Sequence, residues 1–242
     1  MRAWSPPPMQ EPSWGCTMRK GGFLAMAAAA TGMVWAGTAA AAASGWPDTP
    51  SGRARMLAAI QELEITLLTH PSATRALEEW CATHRMADRA VVVAHKVAGN
   101  SPETVPERVR TDLAVTATQA IRHRQVQLVC GAHVLSVADN WYVPDRLTAQ
   151  MNDALDQTDM PFGHVVAPLH FSRERLEFVR LWSPSDEKPP VAADAMIVPP
   201  AIILRQRAVL RDAHGLPFSE VVETYTSQTL DFTPDPQTPP TR

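Results

Sequence analysis

Residues 120–164 read AIRHRQVQLVCGAHVLSVADNWYVPDRLTAQMNDALDQTDMPFGH. Two strand-like runs, 121–130 and 132–143, flank Gly131, and Pro144 ends the second, because proline cannot donate to a sheet ladder. Asp145 can then cap a short helix whose Leu147, Met151 and Leu155 recur at i, i+4 and i+8. Pro161-Phe162-Gly163 follows, where the backbone can turn its N–H groups inward beside an aromatic lid, or form a plain surface turn.

Side chains alternate across a strand, so Arg122, Arg124, Val126, Leu128 and Cys130 share one face and Ile121, His123, Gln125, Gln127 and Val129 share the other. The first set is the more apolar and is expected to face the core, bringing two arginines with it. A desolvated guanidinium is costly unless an acceptor pairs with it. At a pocket wall that acceptor can be a bound carboxylate, which suits the planar fork of arginine. At a strand end it can instead be solvent or an aspartate of the protein.

Upstream, Met56, Leu57, Ile60, Leu63 and Leu67 form one apolar stripe of a helix over 51–69, which His70-Pro71 interrupts. Ser72 can cap a second helix carrying Leu77, Trp80 and Cys81 on its apolar side, so the helical part covers 51–85. Residues 90–97 read as a strand, and 107–118 are ambiguous between helix and loop. Downstream, 164–170 and 173–182 read as two strands and 183–200 as a Pro-rich loop. Ile202, Leu204, Ala208 and Leu210 then alternate with a basic row of Arg205, Arg207 and Arg211, and 212–215 makes a hairpin turn. The return strand, from Phe218 to about Leu230, carries Glu220 and Glu223 on opposite faces. The Pro-rich residues 233–242 are expected to be a disordered end.

From Met18 the chain has the pattern of a secretory signal peptide: Arg19 and Lys20, an apolar run, then small residues to Ala43. The run also approaches the length of a membrane span, but its Ala and Gly content is poor at holding a segment in lipid. The expectation is a start at Met18, cleavage after Ala43, a periplasmic or secreted product and one domain over 44–232. The chain carries a net charge of −3, and losing the leader removes Arg2, Arg19 and Lys20 against only Glu11. An acidic chain without a basic run is a poor partner for nucleic acid or an anionic membrane surface.

Cys81 and Cys130 remain as an even pair in an oxidising compartment, either joined as a disulfide or buried as two thiols. No C-x-x-C, H-E-x-x-H or phosphate-loop motif occurs, so neither metal nor nucleotide is expected. The eight histidines are scattered.

The order over 119–230 resembles that of the chorismate pyruvate-lyase family. It runs from a strand with Arg through a turn, a strand ending V-P, a helix and a P-F-G turn to a strand, a D-x-x-G-x-P hairpin and a strand with Glu. That family shares its fold with the ligand-binding (UTRA-type) domain of GntR-type regulators. The resemblance implies an α+β fold, an antiparallel sheet flanked by helices around an enclosed site that uses no metal or cofactor. It also implies that Arg124 holds a carboxylate, that Phe162 and Gly163 lend backbone donors, and that Glu223 serves the hydroxyl or ether end of the ligand, with Glu220 competing for that role. Arg122 is a further candidate ligand-binding residue. Asn140 stands where the family tends to have a second Arg.

In the lyase, Glu223 would protonate the departing enolpyruvyl group and leave 4-hydroxybenzoate. Chorismate is cytoplasmic, so the leader argues against that chemistry and brings nearly level with it an alternative, an exported monomeric protein that binds a small aromatic or carboxylic acid without turnover.

Overall fold

A computed structural model describes residues 45–99, 102, 104–186 and 194–232. The expected leader with its cleavage site and the Pro-rich tail lie outside the described residues. Among the described residues no helix is long and apolar enough to cross a membrane.

The two helices expected upstream are present as α1 (Pro50–Thr69) and α2 (Ala73–Thr83). The side chain of Thr49 accepts from Gly52 N to start α1, and Met56, Ile60, Leu63 and Leu67 are its buried stripe, with Leu57 at the margin. Pro71 separates the helices, and Ser72 caps α2 by accepting from Arg75 N at 3.5 Å. Leu77, Trp80 and Cys81 are the buried side of α2.

Six strands follow: β1 (Val92–Lys96), β2 (Arg122–Cys130), β3 (His133–Tyr142), β4 (Ser172–Arg180), β5 (Ile202–Arg211) and β6 (Pro217–Thr226). They form one sheet in the order β1-β2-β3-β6-β5-β4, and every neighbouring pair is antiparallel. The protein is therefore α+β, with two three-stranded meanders joined where β3 pairs with β6. Gly131 makes the β2–β3 turn at φ +58, and an added Cβ there would meet the Ala87 Cβ at 2.7 Å. A side chain is excluded at Gly131 on both counts.

One face of the sheet packs on α1 and α2 through Val126, Leu128, Ala138, Leu204 and Tyr225. The other carries α3 (Glu107–Asp112), whose Val109 and the following Leu113 pack on Trp141 and Val143. The ambiguous segment 107–118 thus resolves to a single short helix. Cys81 and Cys130 form a disulfide that ties α2 to the end of β2.

Three expectations need correction. Residues 164–170 are not a strand: Phe162–Val165 is a short helix, α5, and Ala167–Leu169 a 3-10 turn, with Pro161 and Pro168 in the starting positions that proline favours. Asp145 does not cap the helix that follows it in the chain, because Pro144–Arg146 is a separate 3-10 turn. Thr148 is the cap, accepting from Met151 N at 3.2 Å, and α4 runs over Ala149–Gln157. The last strand stops at Thr226, and Ser227–Leu230 is a 3-10 turn.

That turn is held from the helical layer. Trp46 Nε1 donates to Leu230 O at 2.9 Å and Trp80 Nε1 to Thr229 O at 2.8 Å. His84 lies between the rings of Trp80 and Phe232, with centroids at 4.0 and 3.9 Å, and its Nε2 is buried without a hydrogen-bond partner. Burial pushes its pKa down from 6.5 to about 4. The folded state then binds fewer protons than the unfolded chain between those values. Stability is complete above pH 6.5 and is expected to fall by about 2 kcal/mol toward pH 4, the full shift being discounted for partial exposure of the ring. Urea titrations across this range check it, and His84→Phe should flatten the dependence.

Candidate functional site

Register decides which side chains meet. Across β2, β3, β6 and β5, Arg124 lies opposite Asn140, which lies opposite Val221 and then Ala208. The next row is Val126, Ala138, Glu223 and Gln206. Both rows are on the face that carries α2 and α5, and between sheet and helices is a small cavity whose mouth opens to solvent. Val126, Leu128, Ala138, Asn140 and Val221 make the floor; Ser72 to Thr74 at the start of α2, with Phe162 and Gly163 of α5, make the roof. Arg173 and Glu223 supply the charged wall, beside Phe171 and Leu210.

Glu223 is 6% exposed, and its hydrogen bonds fall on one oxygen. Oε2 accepts from the Arg173 guanidinium, from Gln206 Nε2 at 2.9 Å and from the Tyr225 hydroxyl at 3.3 Å. Gln206 Nε2 also donates to the Tyr225 oxygen. Burial, with the nearby Glu223 charge adding to it, pushes the Tyr225 pKa well above its ordinary value, so the phenol keeps its proton and donates. The three contacts leave Oε1 for an occupant of the cavity. Arg173 is only 5% exposed through its side chain, and its Nε is buried without a partner.

Glu220 occupies the opposite face, as parity requires. It is fully buried beneath α3, paired with Arg108 and 3.7 Å from Arg207, and burial raises its pKa. Of the two glutamates, only Glu223 borders the cavity.

The residues singled out in the sequence divide accordingly. Phe162, Gly163, Asn140 and Glu223 are brought together around the cavity. Arg124 is buried on the same face but points beneath the chain entering α5, where Nη2 donates to Met160 O at 3.3 Å. Its Nε and Nη1 are buried without partners, and desolvation lowers its pKa. Asn140 Nδ2 donates to the Arg124 carbonyl at 3.4 Å, linking that arginine to the floor. Arg122 is exposed at the strand end and paired with Asp156 at 2.9 Å. The structure does not bring it to the cavity.

Pro161-Phe162-Gly163 is the start of α5, with Pro161 in the N-cap position. The phenyl ring of Phe162 is buried against Tyr142 and Phe218. Gly163 lets α5 sit on α2, since a Cβ there would lie 2.7 Å from Ser72 Oγ and 3.0 Å from Thr74 Oγ1. Gly163→Ala is expected to cost about 1–3 kcal/mol through this crowding. Thermal unfolding should show the loss, and Ser72→Ala in the same chain should recover part of it.

Sequence reading missed Arg173. The alternation in SRERLEFVR could have placed Arg173 and Arg175 on one inward face of β4, since exposed and partly buried positions alternate there. One strand, β5, separates Arg173 on β4 from Glu223 on β6, and only the sheet topology reveals that they meet.

An antiparallel α+β domain with a small, mainly apolar cavity between sheet and helices, carrying one Arg–Glu pair on its wall, is the class of protein that fold and site define. No family model matches the sequence. Over 195 residues it is 43% identical to the uncharacterized protein y4mC of Sinorhizobium fredii (strain NBRC 101917 / NGR234), covering 77% of this chain and 81% of that protein. The chain belongs to the family of y4mC.

Among solved structures it is similar to PhnF from Mycobacterium smegmatis, with a TM-score of 0.44 and 12% identity over 67% of this chain and 66% of that one. The effector domain of the same protein gives a TM-score of 0.42 and 12% identity, covering 65% of this chain and 89% of that one. A GntR-family transcriptional regulator from Enterococcus faecalis V583 gives 0.34 and 13%, covering 54% and 91%.

Proposed function

We propose that the protein binds a small carboxylate-bearing ligand in the cavity between the sheet, α2 and α5, without turning it over, and that it does so outside the cytoplasm. The observation that carries this reading is that Arg173, its side chain buried and its Nε without a hydrogen-bond partner, lines a cavity that is otherwise mainly apolar. A guanidinium so placed can accept a planar anion, while the apolar floor takes the body of the ligand. The leader read from residues 18–43 supports export.

A second reading, elimination of pyruvate from chorismate, is favoured by one feature: Glu223 borders the cavity, where a general acid for the departing group would stand. Against it, the neutral Asn140 offers no second cation for a dianion. Binding without turnover therefore stands first.

Thermal unfolding of the full chain with benzoate, 4-hydroxybenzoate and short aliphatic acids tests the binding. A ligand at a hundred times its Kd should stabilise by about 2.7 kcal/mol. Ala138→Leu, which fills the floor, should abolish that gain, whereas a gain from no acid, or one that survives Ala138→Leu, rejects the cavity. Chromatography of the same protein mixed with chorismate decides the second reading, since release of 4-hydroxybenzoate would replace binding with catalysis.

A further inference from the structure

The charges on the cavity wall narrow the ligand further, on the premise that the cavity binds a carboxylate. Arg173 and Glu223 are the two ionisable side chains that line it, and their formal charges cancel. A simple monoanion seated on Arg173 would set a second carboxylate beside Glu223 in a site with little water, where like charges repel strongly. A simple cation seated on Glu223 would oppose Arg173 in the same way. A molecule that carries both signs removes the conflict. Its carboxylate takes Arg173, its ammonium takes the free Oε1 of Glu223, and positive and negative groups alternate around the cluster.

Two further features assign the ends. Ser72 and Thr74, buried at the start of the eleven-residue α2, line the roof, so the carboxylate end also meets the positive end of a helix. The unpartnered Nε of the buried Arg173 is a second, independent donor for that end. Val126, Leu128, Ala138 and Val221 leave the floor apolar, with Asn140 as its one amide. Arg124 does not alter this balance at the wall, because its hydrogen bond goes to Met160 O and it does not line the cavity.

We infer that the ligand is an amino acid in form: a carboxylate and an ammonium on a small apolar body.

Calorimetric titration of the full chain with matched compounds tests this. L-Leucine is compared with 4-methylpentanoate, and L-phenylalanine with 3-phenylpropionate and phenethylamine. At least one amino acid is expected to bind ten times or more tighter than its deaminated acid and its amine. Glu223→Gln, which keeps the shape and a carbonyl acceptor for Arg173, is expected to erase the advantage over the acid. An acid that equals or exceeds its amino acid overturns the inference and leaves acid binding in place. An amine that matches its amino acid, or no binding by either acids or amino acids, removes the carboxylate reading itself. The wild-type comparison decides even if the variant folds poorly.

Discussion

Arg173→Met is expected to lower the unfolding free energy by about 3 kcal/mol, the lower end of the range for removing one partner of a buried ion pair. The cost arises from what remains. Glu223, 6% exposed, would keep a negative charge in a nearly dry wall with only Gln206 and Tyr225 donating to it. Those two donors place the expectation at the lower end.

Glu223→Leu added to Arg173→Met should recover most of the loss, because two apolar side chains of similar size replace the pair and no charge is left unmatched. Urea unfolding of the two single variants and the double variant gives the coupling directly. Additive losses would mean that the pair does not act as a unit. The same series guards the ligand experiments, since a variant that fails to bind must first be shown to be folded.

Removing the disulfide is expected to cost more. Cys81 and Cys130 are 49 residues apart, and closing a loop of that length restricts the unfolded chain by about 4 kcal/mol in the chain-entropy account. Without the bond, α2 keeps its packing through Leu77 and Trp80, so the native fold should persist while the unfolded ensemble expands. The expected observation is a lower urea midpoint for Cys81→Ala/Cys130→Ala, with native circular dichroism retained. Wild type treated with reductant should shift in the same direction. If oxidised and reduced wild type unfold together, the two sulfurs are unbonded thiols in solution. The bond also bears on the leader, since a structural disulfide is at home in an oxidising compartment.

Much of this fold could be read from periodicity. The stripe from Met56 to Leu67 and the alternation from Arg122 to Cys130 are direct records of burial, because side chains repeat every 3.6 residues on a helix and every two on a strand. Parity alone separated Glu220 from Glu223, and the structure places them on opposite faces. The segment 164–170, HVVAPLH, failed for a related reason. A short apolar run rich in valine reads equally as strand or buried helix, and here two prolines in helix-starting positions outweigh the β-branched residues. His170 closes the run at φ +47, a conformation that no periodic pattern signals.

The site was legible only in part for a different reason. Local pattern shows which face a residue takes, but not which strands lie side by side. Arg173 reaches Glu223 because β4 and β6 both flank β5, a fact of topology rather than of any one segment. Arg124, by contrast, is on the expected face, but it turns to the Met160 carbonyl, a partner supplied by a loop far along the chain.

The seam between β3 and β6 has a consequence for how the chain reaches this structure. The turn at 131–132 joins β2 to β3 and the turn at 212–216 joins β5 to β6, so both hairpins close over short stretches of chain. Pairing Ser136–Tyr142 with Ser219–Tyr225 closes a far longer loop, and the entropy lost must precede the contacts that compensate for it. The seam is therefore expected to limit the folding rate: weakening it at Val221 should slow refolding, while weakening the outer strand β4 should chiefly speed unfolding. The cavity, whose floor draws on both meanders, exists only once that slow step is complete.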